Sequence, residues 1–253
     1  IRDYKVTGVQ TCALPIYSVD VIKVVHEAGL ADLWLDPHPP AVLAAIVEAA
    51  HARDVPVTVH CNAIEDLTEV LEAGADGIEH LTLRTREDST DTFLEAAGAP
   101  WPTGMLEQMA EADVVLDPTL VVEAARRAQD EPDAIPFRDR IFERVREAHE
   151  AGVAVVAGSD AAVPGLSFGA SLIEEIEAIG ACGLPARAAL QAATVQAAAA
   201  LGSSDIGVIA PGRAADLVAV DGDPLSDLSA LRRISAVLRE GRVVVGAPPL
   251  ESP

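Results

Sequence analysis

Residues 57–80 read VTVHCNAIEDLTEVLEAGADGIEH. With the two residues before it, the run VPVTVHC (55–61) has the composition of a strand. IEDLTEVLEAG (64–74) places its apolar residues at helical spacing and stops at Gly74, a residue suited to the left-handed position after a helix. ADGIEH (75–80) predicts the next strand. A strand, a helix and a second strand joined by short connections form a parallel βα unit. Each strand of this unit closes on a histidine, His60 and His80.

The same alternation continues on both sides. Upstream, VDVIKVV (19–25) predicts a strand and PAVLAAIVEAAHARD (40–54) a helix, with Pro40 in its first turn. Downstream, residues 84–104 are polar and predict a long loop with at most a short helix. ADVVLDPTL (112–120) is then a strand, PFRDRIFERVREAHEAG (136–152) a helix and VAVVAGSD (153–160) a strand, and two helices follow at 169–181 and 185–201. The fold class is α/β. Five βα units in series fit an incomplete TIM (β/α)8 barrel, about strands 4–8, better than a complete doubly wound sheet. After Gly202 short strands are broken by Pro-Gly and Gly-Asp turns, which predicts part of a small β-sandwich over 203–246. The tail APPLESP (247–253) is expected to be disordered.

Composition narrows the function classes. The net charge of -22 argues against nucleic acid and anionic membrane surfaces as partners. No apolar run approaches the roughly 18 residues of a membrane span. The three cysteines, Cys12, Cys61 and Cys182, have no metal-site spacing and form no even disulfide set. A small-molecule substrate and a cytoplasmic location are the expectation, and a homo-oligomer of the full-length protein is compatible with it.

Residues 1–16, IRDYKVTGVQTCALPI, follow neither helical nor strand period. They resemble the in-frame translation of a sequencing-library adapter; the alternative is an irregular N-terminal arm. On the adapter reading the native chain enters near Tyr17, and 17–202 is the C-terminal part of a barrel.

Barrel enzymes place their chemistry at the C-terminal ends of the strands. Lys23 lies near the end of the first strand, His60 and His80 end the next two, and Asp160 ends the last. Lys23 is also the only lysine after residue 16, against fifteen arginines. Lysine can lose its proton and be modified where arginine stays charged. Any one of the four has an ordinary explanation: a lysine snorkels or pairs with an acid, a histidine is hydrogen-bonded in a core, an aspartate caps a helix. All four at strand ends is a pattern. His26, His38, His51, His149 and Glu79 stand outside it, and DGDP (221–224) is expected to be a turn.

The 57–80 unit, VAVVAGSDA (153–161) and the long run from Ala189 to Leu225 together resemble the metal-dependent amidohydrolase superfamily, in particular its imidazolonepropionase-like group, which includes Xaa-Pro dipeptidases. The resemblance covers nearly all of 17–245. It implies that Lys23, carboxylated by CO₂, bridges two divalent metals, Zn²⁺ or else Mn²⁺, Fe²⁺ or Co²⁺. It implies that His60 and His80 ligate one metal, and that Asp160 ligates the other and shuttles the proton. The implied reaction is hydrolysis of an amide bond in a dipeptide, an N-acyl amino acid or a cyclic amide, by a metal-bound hydroxide. A lactonase or ester hydrolase on the same site and a metal-free scaffold are the alternatives, and retention of Lys23 argues against a mononuclear deaminase-like site. The superfamily's His-x-His pair has no counterpart among the six histidines. A truncated, inactive and poorly soluble chain is therefore the expectation.

Overall fold

In a computed structural model the protein is described over residues 19–27, 29–30, 33–34, 37–81, 100–122, 134–161 and 163–247. Residues 1–16, most of the 84–104 loop and all but the first residue of the C-terminal tail lie outside these. The chain begins with β1 (Ile22–Val25) and a short hairpin, β2 (Gly29–Leu30) and β3 (Leu33–Trp34). It continues through α1 (Pro40–His51), β4 (Val57–His60), α2 (Ile64–Glu72), β5 (Gly77–Glu79), α3 (Met105–Glu111), β6 (Val115–Asp117), α4 (Ala134–Glu150) and β7 (Ala154–Val155). Then come α5 (Ala170–Ala181), α6 (Ala186–Ala192) and α7 (Val195–Ala200).

The five strands form one parallel sheet in the order β1-β4-β5-β6-β7. Among the described residues the barrel is not closed: β1 and β7 are the two edges of this sheet. The strands are shorter than the apolar runs predict: the central residues pair in β4, β5 and β6, the C-terminal part of the run in β1 and only its start in β7. The helix expected over 185–201 is two helices, broken at Thr194. The hairpin and α3 carry no distinct period in the sequence; Pro102 and Gly104 obscure the start of α3.

Alternation divides the sheet into two faces. Val24, Val59, Ile78, Leu116 and Val155 face the helices and are buried. Around them Leu43, Val47, Leu67, Val70 and Met109 close one core cluster under α1, α2 and α3, and Ile141, Val145, Ile176 and Ile179 close a second under α4 and α5. The opposite face carries two layers. Lys23 pairs with Thr58, Thr58 with Gly77, Gly77 with Val115, and Val115 with Ala154. Two residues further on, Val25, His60, Glu79 and Asp117 are in register. A Cβ on Gly77 would lie 2.9 Å from Val115 Cγ2, so Thr58 and Val115 close in over Gly77 at the lower layer.

Four helix-to-strand connections share one form. Each helix ends in a turn whose key residue has positive φ: Asp54 (55°), Gly74 (80°), Asp113 (55°) and Gly152 (93°). The next N–H returns to a carbonyl five residues back: Val55 to Ala50, Ala75 to Val70, Val114 to Met109 and Val153 to Ala148. This is the Schellman arrangement that satisfies the last helical carbonyls.

A three-stranded antiparallel sheet follows, in the order β10-β9-β8: β8 (Leu217–Val220), β9 (Ile234–Arg239) and β10 (Arg242–Gly246). Glu240 and Gly241 both have positive φ and close the β9–β10 hairpin in two residues. A short 3₁₀ turn, Leu228–Arg232, packs the small sheet on α5, where Leu228 and Leu231 join the second core cluster. Asp223 within 221–224 is a turn residue, its carboxylate accepting from Leu225 N and Ser226 Oγ.

Candidate active site

The C-terminal ends of β1, β4, β5 and β6 bring polar side chains together. Lys23 reaches along the inner face so that its Nζ lies 3.4 Å from Glu79 Oε2. His60, at the end of β4, stands beside Glu79 in register. Strict alternation would turn His80 to the helix side. Instead His80 adopts φ 69°, which breaks the alternation, and its ring packs edge-on against His60 with centroids 4.6 Å apart. Glu79, set aside on the strand-end pattern, is therefore the inner-face carboxylate that meets Lys23. That is a correction: the last paired residue of β5 is Glu79, and His80 already belongs to the turn.

Each imidazole has a defined partner. His60 Nε2 is 2.9 Å from Asn62 Nδ2 and 3.3 Å from Glu27 Oε2. Asn62 Nδ2 also donates to Glu27, and the Glu27 side chain is almost fully buried. His80 Nδ1 lies 2.7 Å from Thr119 Oγ1, and its backbone N–H donates to Asp117 O at 2.8 Å. Asp117 Oδ1 accepts from Gly158 N at 2.9 Å. Burial pushes the Asp117 carboxyl up to about 7, helped by the charge of Glu79 and opposed by the N–H groups of Gly158 and Thr119 and by Lys23. Gly158 is required here, since a Cβ would fall 1.9 Å from Asp117 Oδ2.

Asp160 stands apart. It follows β7, is exposed and has φ 45°. Among the described residues its carboxylate makes no hydrogen bond or ion pair with Lys23, His60 or His80. Lys23, His60 and His80 are thus brought to one face, and Asp160 to the rim of the same end.

A second group of donors lies at the buried junction of the β1 terminus and α2. His26, Asp66 and Glu69 each offer a ligand atom within 4.8 Å of the others. His26 is fully buried and its Nε2 is 2.8 Å from Glu69 Oε2, so the group ties the end of β1 to α2. At the opposite, N-terminal end of the sheet a cavity of about 660 Å³ is lined by Thr58, Asp76, Val115 and Ala154, with the His51–Asp76 pair at its edge. Cys61 and Cys182 are buried free thiols, both pushed up by burial. Among the described residues no helix is long and apolar enough to cross a membrane.

Two imidazoles in contact, a lysine that can be modified and the neighbouring carboxylates Glu27, Glu79 and Asp117 are ligand types for a divalent cation, while among the described residues the donors whose ligand atoms converge within 4.8 Å are His26, Asp66 and Glu69. Glu27, Asn62, Asp117 and Thr119 are the site residues that sequence reasoning missed. Glu27, Asn62 and Thr119 each sit two residues past the end of a strand, where periodicity carries no direction, whereas Asp117 is itself the last residue of β6, hidden inside the longer run ADVVLDPTL.

Comparison with known proteins agrees with this architecture. The family model described as "Amidohydrolase family" matches residues 6–244. An uncharacterized protein of Mycobacterium tuberculosis (strain H37Rv) is 33% identical over 217 residues, covering 84% of this chain and 53% of that protein. The chain thus spans about half the length of the curated relatives it matches. A crystal structure of a Xaa-Pro dipeptidase with bound methionine in the active site superposes with TM-score 0.73 at 26% identity, covering 94% of this chain and 58% of that one. An ochratoxinase of A. niger shares the fold, with TM-score 0.74 at 20% identity over 96% of this chain and 55% of that one.

Proposed function

The chain belongs to the amidohydrolase family, and from that premise we propose that the protein hydrolyses an amide bond of a small molecule with the help of divalent metal. The observation that carries this reading is the contact of His60 and His80, rings 4.6 Å apart, at the end of the sheet where Lys23 meets Glu79. His60, His80 and Lys23 would hold the metal, with Zn²⁺ first among the candidates for mixed imidazole and carboxylate ligands. When bound, the cation supplies Lewis acidity, polarising a carbonyl and making a water more acidic.

This chain's own residues do the rest. Carboxylation of Lys23 begins with loss of one proton from the ammonium; the neutral Nζ then bonds to the carbon of CO₂ and a second proton leaves, so that a cation becomes an anion with two protons released. The Lys23–Glu79 pair must open for that to happen, because Nζ attacks only as the neutral amine. Asp160, exposed at the rim, takes a proton from the attacking water and gives it to the leaving amine. Asn62 donates to Glu27 and keeps that carboxylate beside His60. The similarity to a Xaa-Pro dipeptidase favours a dipeptide or an N-acyl amino acid as substrate.

Zn²⁺ titration calorimetry on the chain, with His60→Ala and His80→Ala beside it, tests the metal reading. Saturable binding lost in both variants supports it; binding unchanged in both overturns it. Amine release from Xaa-Pro dipeptides and N-acyl amino acids by the whole protein, abolished by chelator and restored by Zn²⁺, tests the reaction. Preferential turnover of lactones or esters would replace the amide with an ester bond.

A further inference from the structure

Glu175 lies on α5 and no step above uses it. It is fully buried, and its two carboxylate oxygens accept from the backbone N–H groups of Leu120 and Val121, both at 2.9 Å. Asp117 takes the N–H of Thr119 as well as that of Gly158. Buried Glu175 therefore holds two consecutive N–H groups, those of 120 and 121, in the turn that leaves β6, and half-buried Asp117 is stabilised by the preceding N–H of Thr119. Thr119 sits in this turn with φ 44°, 2% exposed, and its Oγ1 is 2.7 Å from His80 Nδ1. His80 is thus held at its backbone by β6 and at its ring by the turn after β6, and that turn is anchored by Glu175.

A hydroxyl can either give a proton to an imidazole nitrogen or take one from it. The two choices leave opposite nitrogens with the lone pair, and only one of them suits ligation through Nε2. We propose that Glu175 is a positioning residue for His80: through the Leu120 and Val121 amides it fixes Thr119 Oγ1 as the acceptor of the His80 Nδ1–H, so that Nε2 carries the lone pair. This rests on the reading of His80 as a metal ligand. The chemistry at Glu175 is specific, because each of its oxygens accepts a backbone N–H and keeps a lone pair to do so in the protonated as well as the ionised form, which an amide nitrogen does not. A glutamine would set an N–H donor against one of the two backbone donors, and an aspartate would draw the carboxylate back by one methylene.

The test is histidine-selective ¹⁵N NMR of the metal-free 253-residue chain, with Zn²⁺ titration calorimetry on the same samples. In the unmodified chain His80 is expected as the Nδ1–H form. Glu175→Gln and Thr119→Val are expected to shift its ring signals toward a mixture of the two tautomers and to weaken Zn²⁺ binding about tenfold, the scale of lost outer partners. Thr119→Ser, which keeps the hydroxyl, is expected to restore both. A His80 that carries its proton on Nε2 in the unmodified chain overturns the proposal. So does a folded Glu175→Gln variant whose His80 signals do not move. Should that variant fail to fold, Glu175→Asp carries the same test, and unmoved His80 signals there overturn the proposal equally. An unmodified chain that binds no Zn²⁺ sinks the metal reading of His80, while the metal-free spectra still decide the positioning role.

Discussion

The two ends of the parallel sheet are built on different principles. At the N-terminal end one turn is used four times, with Gly or Asp at the left-handed position and the same returning hydrogen bond. Those are residue types that tolerate positive φ at little cost. At the C-terminal end three residues with positive φ follow successive strands: His80 after β5, Thr119 after β6 and Asp160 after β7. None is glycine, and each is bonded differently. For His80 and Thr119 this region costs roughly 1–3 kcal/mol, while Asp160 shares the tolerance of the aspartates at the other end. One end is therefore optimised for closure, and the other accepts strain in order to aim particular side chains. This matches the division of labour in barrel folds, where stability lies at the bottom and chemistry at the top.

Four measurements would break or sharpen that contrast. The largest effect is expected at the C-terminal end. His60→Ala or His80→Ala should lower Zn²⁺ affinity by more than the ~10–100-fold typical of outer partners, as read by calorimetry, while Asp54→Gly or Gly74→Ala leaves it unchanged. Equal losses at both ends would dissolve the distinction.

The next effect is on pH. Burial raises Glu175 from 4.5 to about 8 despite its two N–H donors, with the charge of Asp117 adding to the rise. The folded state therefore holds this proton more tightly than the unfolded chain does. The stability this contributes is complete below the unfolded value and is lost as pH rises through the folded one. Urea midpoints should accordingly fall between about pH 4.5 and pH 8, and Glu175→Gln should flatten that slope. A midpoint that rises over the same interval, with the slope unaltered in the variant, would show that Glu175 is charged throughout.

At the N-terminal end, Gly152→Ala should cost about 1 kcal/mol, because alanine must take a φ that glycine adopts freely. Thermal unfolding checks this. The smallest effects come from the reverse change. Asp54→Gly, Asp113→Gly and Asp160→Gly each relieve a left-handed aspartate and should alter stability by less than about 1 kcal/mol. Only Asp160→Gly should reduce amide hydrolysis by the whole protein.

Much of this was legible in the residues. The order of strands and helices followed from alternating runs, and Gly74 marked its turn correctly. Lys23, His60 and His80 could be placed at one end of the sheet because strand ends can be read from the apolar runs, and the structure brings all three to that end. What stayed hidden depended on direction. Glu79 and His80 are adjacent, and only the backbone reversal at His80 decides which of them meets Lys23 and which meets His60. Glu175 lies among Glu174 and Glu177 on one helix, and nothing in their spacing says that it alone is buried beneath β6. Glu27 and Asn62 lie in βα connections, where no period operates. Short α3 was masked by the Pro and Gly that introduce it, and the break at Thr194 by an unbroken run of helix-favouring alanines.

The contact between Gly158 and Asp117 also constrains how this chain can drift. The carboxylate of Asp117 occupies the space into which any side chain at 158 would grow. Position 158 therefore cannot wander independently of position 117. A lineage that replaces Asp117 with a smaller residue frees position 158 to acquire a side chain, whereas a lineage that first enlarges position 158 must surrender the carboxylate. Across divergent descendants a side chain at position 158 should appear only where Asp117 has been replaced.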